Sequence, residues 1–226
     1  MQTERRRPAL VVFDMAGTTV RDGEGAVARC LVEALAADGV TVSQGRANAF
    51  MGIPKPLAIA ELLGAAGSTE RVAAIHADFV RRMLAFYATD PAVGSIPGTE
   101  ETFDRLRSAG VRVALDTGFS RDIADTILRR LAWEGRIDGS VTSDEVANGR
   151  PFPDLILALM ERFGISDAAT VAKVGDTPAD LNQGTAAGCG WVIGVTEGSH
   201  THDQLVVCPH THLIPNVATL PALFGL

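Results

Sequence analysis

Apolar positions along this chain follow two patterns: short continuous runs, and longer stretches in which apolar residues recur three or four apart. The short runs, Leu10 to Phe13, Val111 to Leu115, Thr170 to Val174 and Trp191 to Val195, predict buried strands. Thr99 to Ala109, Arg121 to Leu131, Pro153 to Phe163, Pro178 to Ala187 and Val217 to Phe224 carry helical spacing. Strands that alternate with helices in this way predict an α/β fold, a doubly wound parallel sheet covered on both faces. Between Gly25 and Thr89 the alternation gives way to helical spacing alone, clearest at Ala26 to Ala37, Leu57 to Leu63 and Val72 to Tyr87. The pattern therefore divides into a core of 1–22 and 92–226 and an all-helical insertion over 23–91. In the first of its helices Val27, Leu31, Ala34 and Leu35 share a face, which reads as packing inside the insertion. Ligands of open α/β sheets bind at the carboxyl ends of the strands, and a block inserted just after the first strand would roof that edge.

Composition narrows the picture without changing it. A chain of 226 residues can bury one core and carry an insertion. No apolar run approaches the roughly 18 residues of a membrane span, and Leu10 to Phe13 is too short for a signal-peptide core. Met1 to Pro8, with Arg5, Arg6 and Arg7, reads as a frayed basic terminus on a cytoplasmic protein. The net charge of −7 argues against general nucleic-acid binding. Cys30, Cys189 and Cys208 show no CxxC spacing and read as small buried thiols in a reducing compartment. His200, His202, His210 and His212 form two His-x-His pairs, but no Cys or carboxylate set completes a tetrahedral zinc site. A loop and strand at the sheet edge is the simpler expectation, with His200 near the end of the last strand.

Chemistry concentrates where strands end. Asp14 closes the first apolar run and is followed by Met15-Ala16-Gly17-Thr18-Thr19. Asp176 sits at a second junction, with Thr177 as N-cap and Pro178 at the first helical position. Two carboxylates from adjacent strand ends, with a backbone carbonyl and water, make the hard oxygen environment that suits Mg²⁺. Thr177-x-x-Asp180 satisfies a capping box, so Asp180 serves either the cap or the ligand set. Thr117-Gly118 opens a helix and offers a hydroxyl and N–H groups to phosphate oxygens. Arg150, in Gly149-Arg150-Pro151-Phe152-Pro153, places a cation before another helix start.

Asp14-x-x-Gly17-Thr18, Thr117-Gly118, Arg150-Pro151-x-Pro153 and Gly175-Asp176-x-x-x-Asp180 resemble, in order, the four motifs of the haloacid dehalogenase (HAD) superfamily. The helical insertion resembles that superfamily's C1-type cap over a Rossmann-like core, and the resemblance covers Pro8 to Phe224. It implies Asp14 as the nucleophile of an aspartyl-phosphate, and Mg²⁺ held by Asp14, the Ala16 carbonyl and Asp176. Thr117 would meet phosphoryl oxygens, Arg150 would stabilise charge, and Asp180 would support them.

Ala16 departs from the HAD phosphatases, which carry there a second Asp that protonates a leaving alkoxide and later activates water. An alanine transfers no proton, so the leaving group must depart without that acid, or the protein is an inactive binding domain. A carbon leaving group can depart when a protonated imine receives its electrons, and a lysine forms such an imine with a carbonyl. Only Lys55 and Lys173 are lysines among twenty basic residues. Lys55 lies in Met51-Gly52-Ile53-Pro54-Lys55-Pro56-Leu57, where Pro56 predicts a loop, and apolar neighbours would favour the neutral amine. The segments around Asp14, Lys55, Thr117, Arg150 and Asp176 resemble the phosphonatase-like (phosphonoacetaldehyde hydrolase-like) subfamily. That resemblance implies P–C bond hydrolysis of a small phosphonate, an imine on Lys55, and substrate contacts from Ala16, Gly17, Thr18, Met51, Gly118 and Phe119. It also implies a homodimer through the cap. Ala58 and Phe119 stand where that subfamily has a histidine and a tyrosine. Hydrolysis of a small phosphate ester is the alternative activity.

Overall fold

The computed structural model describes residues 7–23 and 25–226, so most of the expected basic terminus lies outside the described residues. The chain begins with strand β1 (Leu10–Asp14) and a short β2 (Val20–Asp22). Four helices follow, α1 (Ala26–Ala37), α2 (Gln44–Asn48), α3 (Lys55–Leu63) and α4 (Thr69–Thr89), before β3 (Val93–Ser95) pairs antiparallel with β2. Alternation then resumes through α5 (Thr99–Ser108), β4 (Arg112–Thr117), α6 (Arg121–Leu131), β5 (Gly139–Thr142), α7 (Asp154–Phe163) and β6 (Val171–Gly175). It ends with α8 (Pro178–Ala186), β7 (Trp191–Val195), α9 (His202–Leu205), β8 (His212–Ile214) and α10 (Leu220–Leu223).

The large sheet is parallel throughout, in the order β5-β4-β1-β6-β7-β8. This is the expected doubly wound α/β core. β1 lies inside the sheet, between β4 and β6, where the winding reverses and a crevice opens at the strand ends. Its residues are buried on both faces: Val11 and Phe13 join one apolar cluster, Leu10 and Val12 the other. On the first face Phe103 stands edge-on to both Phe13 and Trp133, at 5.2 and 5.3 Å between ring centroids. The Trp133 indole N–H donates to Glu100 at 2.9 Å, which satisfies the one polar atom of that stack.

Several local expectations change. α3 starts at Lys55 itself and not after a loop: Pro56 falls in the first turn, where a missing N–H breaks no intrahelical bond. Val217 to Phe224 is two pieces, a 3₁₀ turn capped by Asn216 and then α10, with Pro221 in the first turn of the second. Only Cys30 is fully buried; Cys189 and Cys208 are half-buried, and none of the three is in a disulfide. Burial pushes the Cys189 thiol up to about 12, which leaves it protonated and unreactive. The four C-terminal histidines do not converge. His210 Nδ1 faces the Cys208 carbonyl, His202 faces Asp203, and His212 stacks on Trp191 at the sheet edge. Among the described residues no helix is long and apolar enough to cross a membrane.

Phe103→Ala is expected to cost about 3–5 kcal/mol, because it empties a fully buried position between two rings. Urea denaturation monitored by Trp fluorescence measures the loss; a cost under about 1 kcal/mol would contradict the central place given to this stack.

Candidate active site

The sharp turn after β1 is built by backbone bonds: the N–H groups of Thr18, Thr19 and Val20 all donate to the Met15 carbonyl. Gly17 adopts φ 87°, and a Cβ there would collide with the Asp176 carboxylate, so only glycine lets the two strand ends approach. The turn presents Asp14, Ala16 and Gly17 to the crevice, whereas Thr18, expected as a substrate contact, is fully buried behind it. Thr18 donates to Asp176 at 3.1 Å, and the other oxygen of Asp176 accepts from the Ser199 N–H and hydroxyl at 2.6 and 2.7 Å. The Ser199 hydroxyl lies 3.0 Å from His200 Nδ1, so His200 reaches the site through Ser199. Ser199 was not foreseen; the only hint in the sequence is its place just beyond a strand end.

Arg150 is the bridge of the site. One amino group donates to Asp14 at 2.7 Å and the other to Asp180, with the guanidinium almost wholly buried. Asp180 fills both roles the sequence leaves open: it completes the capping box with Thr177, and it holds Arg150 and Lys173. Lys173 sits at 3.0 Å from Asp180 and also bonds Asp116, both of them fully buried. Asp116 precedes Thr117 on β4 and is register partner of Asp14, while Lys173 lies on β6. The ammonium therefore spans beneath β1 from one neighbouring strand to the other. This pair was not assigned a role from sequence. Two isolated polar residues in apolar strands carry no visible sign that they meet.

The charges do not balance without a further cation. Four buried carboxylates, Asp14, Asp116, Asp176 and Asp180, stand against three buried basic groups, Arg150, Lys173 and Lys55. Burial, with Asp180 and Asp176 close by, pushes Asp14 up to about 8 despite Arg150. Burial and Asp180 likewise raise Asp176. Asp180 alone is held low, at about 2, because Arg150 and Lys173 outweigh its burial. Oxygens of Asp14, Asp176 and Asp180 lie within 4.8 Å of one another, a buried hard-donor set. A divalent ion such as Mg²⁺ fits this set. Asp180 carries the most cationic partners of the three, Arg150 and Lys173, while Asp14 faces Arg150 alone and Asp176 accepts only from neutral donors, Thr18 and Ser199.

The helical block closes over this crevice. Gly52, at φ 84°, backs onto the Thr177 hydroxyl, where any side chain would clash. The Gly52 and Ile53 carbonyls lie over Gly118, and Pro54 abuts Gly149. Lys55 is only 4% exposed; its ammonium donates to the Ile53 carbonyl at 3.1 Å and lines the same cavity as Asp14. Burial, then Arg150, lowers its pKa to about 8, against the opposing pull of Asp14. Met51, Gly118, Phe119 and Thr117 line that cavity too. The Thr117 hydroxyl accepts from the Phe119 N–H at 3.1 Å, and Phe119 stands edge-on to the Tyr87 ring. His76, on α4, is held below its usual pKa by burial and by Lys55.

Residues 8–188 match the family model of the haloacid dehalogenase-like hydrolases. Phosphonoacetaldehyde hydrolase of Bacteroides fragilis is 31% identical over 221 residues, covering 91% of this chain and 81% of that protein. The enzyme of that name from Pseudomonas fluorescens is 34% identical over 200 residues, 82% of this chain and 72% of its own. Among solved structures, a phosphonoacetaldehyde hydrolase-like protein from Oleispira antarctica superposes with a TM-score of 0.85 at 23% identity, covering 100% of this chain and 95% of the other. The matched motifs, the doubly wound sheet and the identity over most of the chain agree: this protein belongs to the haloacid dehalogenase-like hydrolases.

Proposed function

We propose that this hydrolase cleaves the P–C bond of phosphonoacetaldehyde or a related phosphonate, with Lys55 as imine-forming amine and Asp14 as nucleophile. The helical block acts as the cap that brings the two together. The observation that carries the reading is a buried lysine, with a pKa of about 8, facing the same cavity as Asp14 where residue 16 offers no carboxylate.

Neutral Lys55 Nζ adds to the substrate carbonyl, water leaves, and a protonated imine forms. The phosphoryl group then passes to an Asp14 carboxylate oxygen, and the P–C electron pair moves into the imine to give an enamine. Lys55 is fit for this because burial holds a nucleophilic fraction near neutral pH. Arg150 fixes Asp14 through one oxygen and, with Thr117 and Gly118, lines the part of the cavity where the phosphoryl oxygens would sit. Asp14, Asp176 and the Ala16 carbonyl would hold Mg²⁺, which when bound would supply positive charge against the repulsion between a carboxylate and an anionic phosphoryl group. Water frees phosphate from Asp14, while the enamine takes a proton on carbon and hydrolyses from Lys55. Lys173 acts as a positioning residue. By sharing Asp180 with Arg150, it keeps that carboxylate ionised and the guanidinium directed at Asp14.

Borohydride treatment in the presence of phosphonoacetaldehyde is expected to add a reduced adduct at Lys55, located by mass spectrometry. Lys55 is an ammonium below its pKa and a free amine above it, so initial trapping should rise between pH 6 and 9 with a midpoint near 8. Turnover without any modification of Lys55 would refute the imine. Lys55→Arg and Asp14→Asn should each lower phosphate release from the phosphonate by more than about a thousandfold. A phosphate ester hydrolysed at an unchanged rate by Lys55→Arg would establish the phosphatase activity instead. Lys173→Met should lower kcat about 10–100-fold with little change in KM. Because that change also strands Asp116, the decisive variant is Asp116→Asn with Lys173→Met: recovery of kcat would reduce Lys173 to a counter-ion for Asp116.

A further inference from the structure

The two carboxylates assigned to the metal are each clamped through one oxygen. Asp14 accepts from Arg150 on Oδ1 at 2.7 Å, and no protein donor among the described residues reaches its Oδ2. Asp176, fully buried, is held more completely. Its Oδ1 accepts from the Thr18 hydroxyl at 3.1 Å, whereas Oδ2 accepts twice from Ser199, from the N–H at 2.6 Å and from the hydroxyl at 2.7 Å. A carboxylate oxygen has about two lone-pair positions, so Oδ2 is filled and Oδ1 keeps one.

Sterics fix the same orientation. A Cβ on Gly17 or on Gly198 would strike the Asp176 carboxylate, so the backbone of two loops lies against it and leaves it no space to turn. Ser199 is itself held. The ionised carboxylate offers no proton, so the Ser199 hydroxyl donates to it, and His200 Nδ1, 3.0 Å away, carries the hydrogen given to Ser199 Oγ. The loop that carries both residues is anchored one step earlier. The Glu197 N–H donates to the Pro215 carbonyl at 3.0 Å, and the Glu197 carboxylate accepts from the Asn216 amide at 2.8 Å.

The site therefore offers a cation one oxygen from each carboxylate. Mg²⁺ suits such a set, because it demands near-octahedral geometry, takes one or two carboxylates and keeps several waters. Ca²⁺ gathers roughly six to eight oxygens at longer distances and often takes both oxygens of a carboxylate. A carboxylate that can neither turn nor release its second oxygen penalises the larger ion.

We infer that Ser199, its hydroxyl oriented by His200, is a positioning residue that makes the site selective for Mg²⁺ over Ca²⁺ by confining Asp176 to one ligating oxygen. Neither residue belongs to the four motifs around Asp14, Thr117, Arg150 and Asp176. The inference rests on Asp176 as a metal ligand, as proposed above, and not on which bond the enzyme breaks.

The test is calorimetric titration of the full chain, dialysed against a chelator, with Mg²⁺ and separately with Ca²⁺. Wild type should bind Mg²⁺ the more tightly, and Ser199→Ala should lower the ratio of the Ca²⁺ to the Mg²⁺ dissociation constant at least about tenfold, chiefly by tightening Ca²⁺. Ser199→Thr, which restores the hydroxyl, should return that ratio to within about twofold of wild type, and His200→Phe should reproduce part of the loss. Damage to the loop alone would weaken both ions together and leave the ratio where it was. An unchanged ratio in Ser199→Ala, or wild type binding Ca²⁺ as tightly as Mg²⁺, would overturn the inference and leave Asp176 a ligand. Binding of neither ion to wild type would overturn the ligand assignment as well, while the imine on Lys55 stands or falls by borohydride trapping.

Discussion

Everything at the strand ends depends on one buried guanidinium. Arg150 ties Asp14 to Asp180 in a place with almost no water, and a cation there is tolerable only because carboxylates surround it. Burial opposes its charge, but Asp14 and Asp180 raise its pKa further still. The same reasoning runs outward. Asp180 is stable as an anion because Lys173 shares it; Lys173 is stable as a cation because Asp116 lies on its other side. Such a chain cannot be edited one link at a time without stranding a charge, which costs more than any single bond contributes. Its excess of negative charge is also what gives a divalent cation a reason to bind.

The parts of this fold legible in the sequence are those with local causes. β1 and β7 are continuous apolar runs, β4 and β6 are apolar runs interrupted by single polar residues, and the aspartates at the ends of β1 and β6 follow from chain direction alone. Thr177, Pro178 and Asp180 announce the start of α8 because a capping box is a matter of spacing. The strands β5 and β8 are short and carry Ser140, Thr142 and His212, so no apolar run marks them; they form only because a neighbouring strand offers its edge. The five-residue helix α2 contains Gly45 and is likewise sustained by its surroundings. At Lys55 a valid local rule lost to another. The restriction imposed by Pro56 is real, but a first helical turn is where proline is accepted.

The site was legible to the extent that its residues fall in motifs. Asp14, Thr117, Arg150 and Asp176 can be named from spacing; the structure gathers the first three around one crevice with Lys55 and sets Asp176, wholly buried, within 4.8 Å of Asp14. Lys173 stands out in the sequence as a scarce lysine in the segment that ends at Asp176, but its partners depend on sheet order. β4 and β6 are distant in sequence and become neighbours of one strand only when β1 inserts between them. Ser199 belongs to the same class. Its bond to Asp176 arises from the loop after β7 folding back over β6, a long-range event without a local signature.

The ladder between β2 and β3 has a mechanical meaning. Both covalent connections to the helical block pass through it, side by side, and Ile96 pins the return strand to the Thr19 carbonyl at 2.9 Å. Two tethers bonded to each other behave as a strap, which resists sliding and spreading and yields most easily to twist. The turn that aims Asp14 runs directly into this strap through Val20. Any twist of the helical block about this strap is thus felt at the root of the turn that carries Asp14.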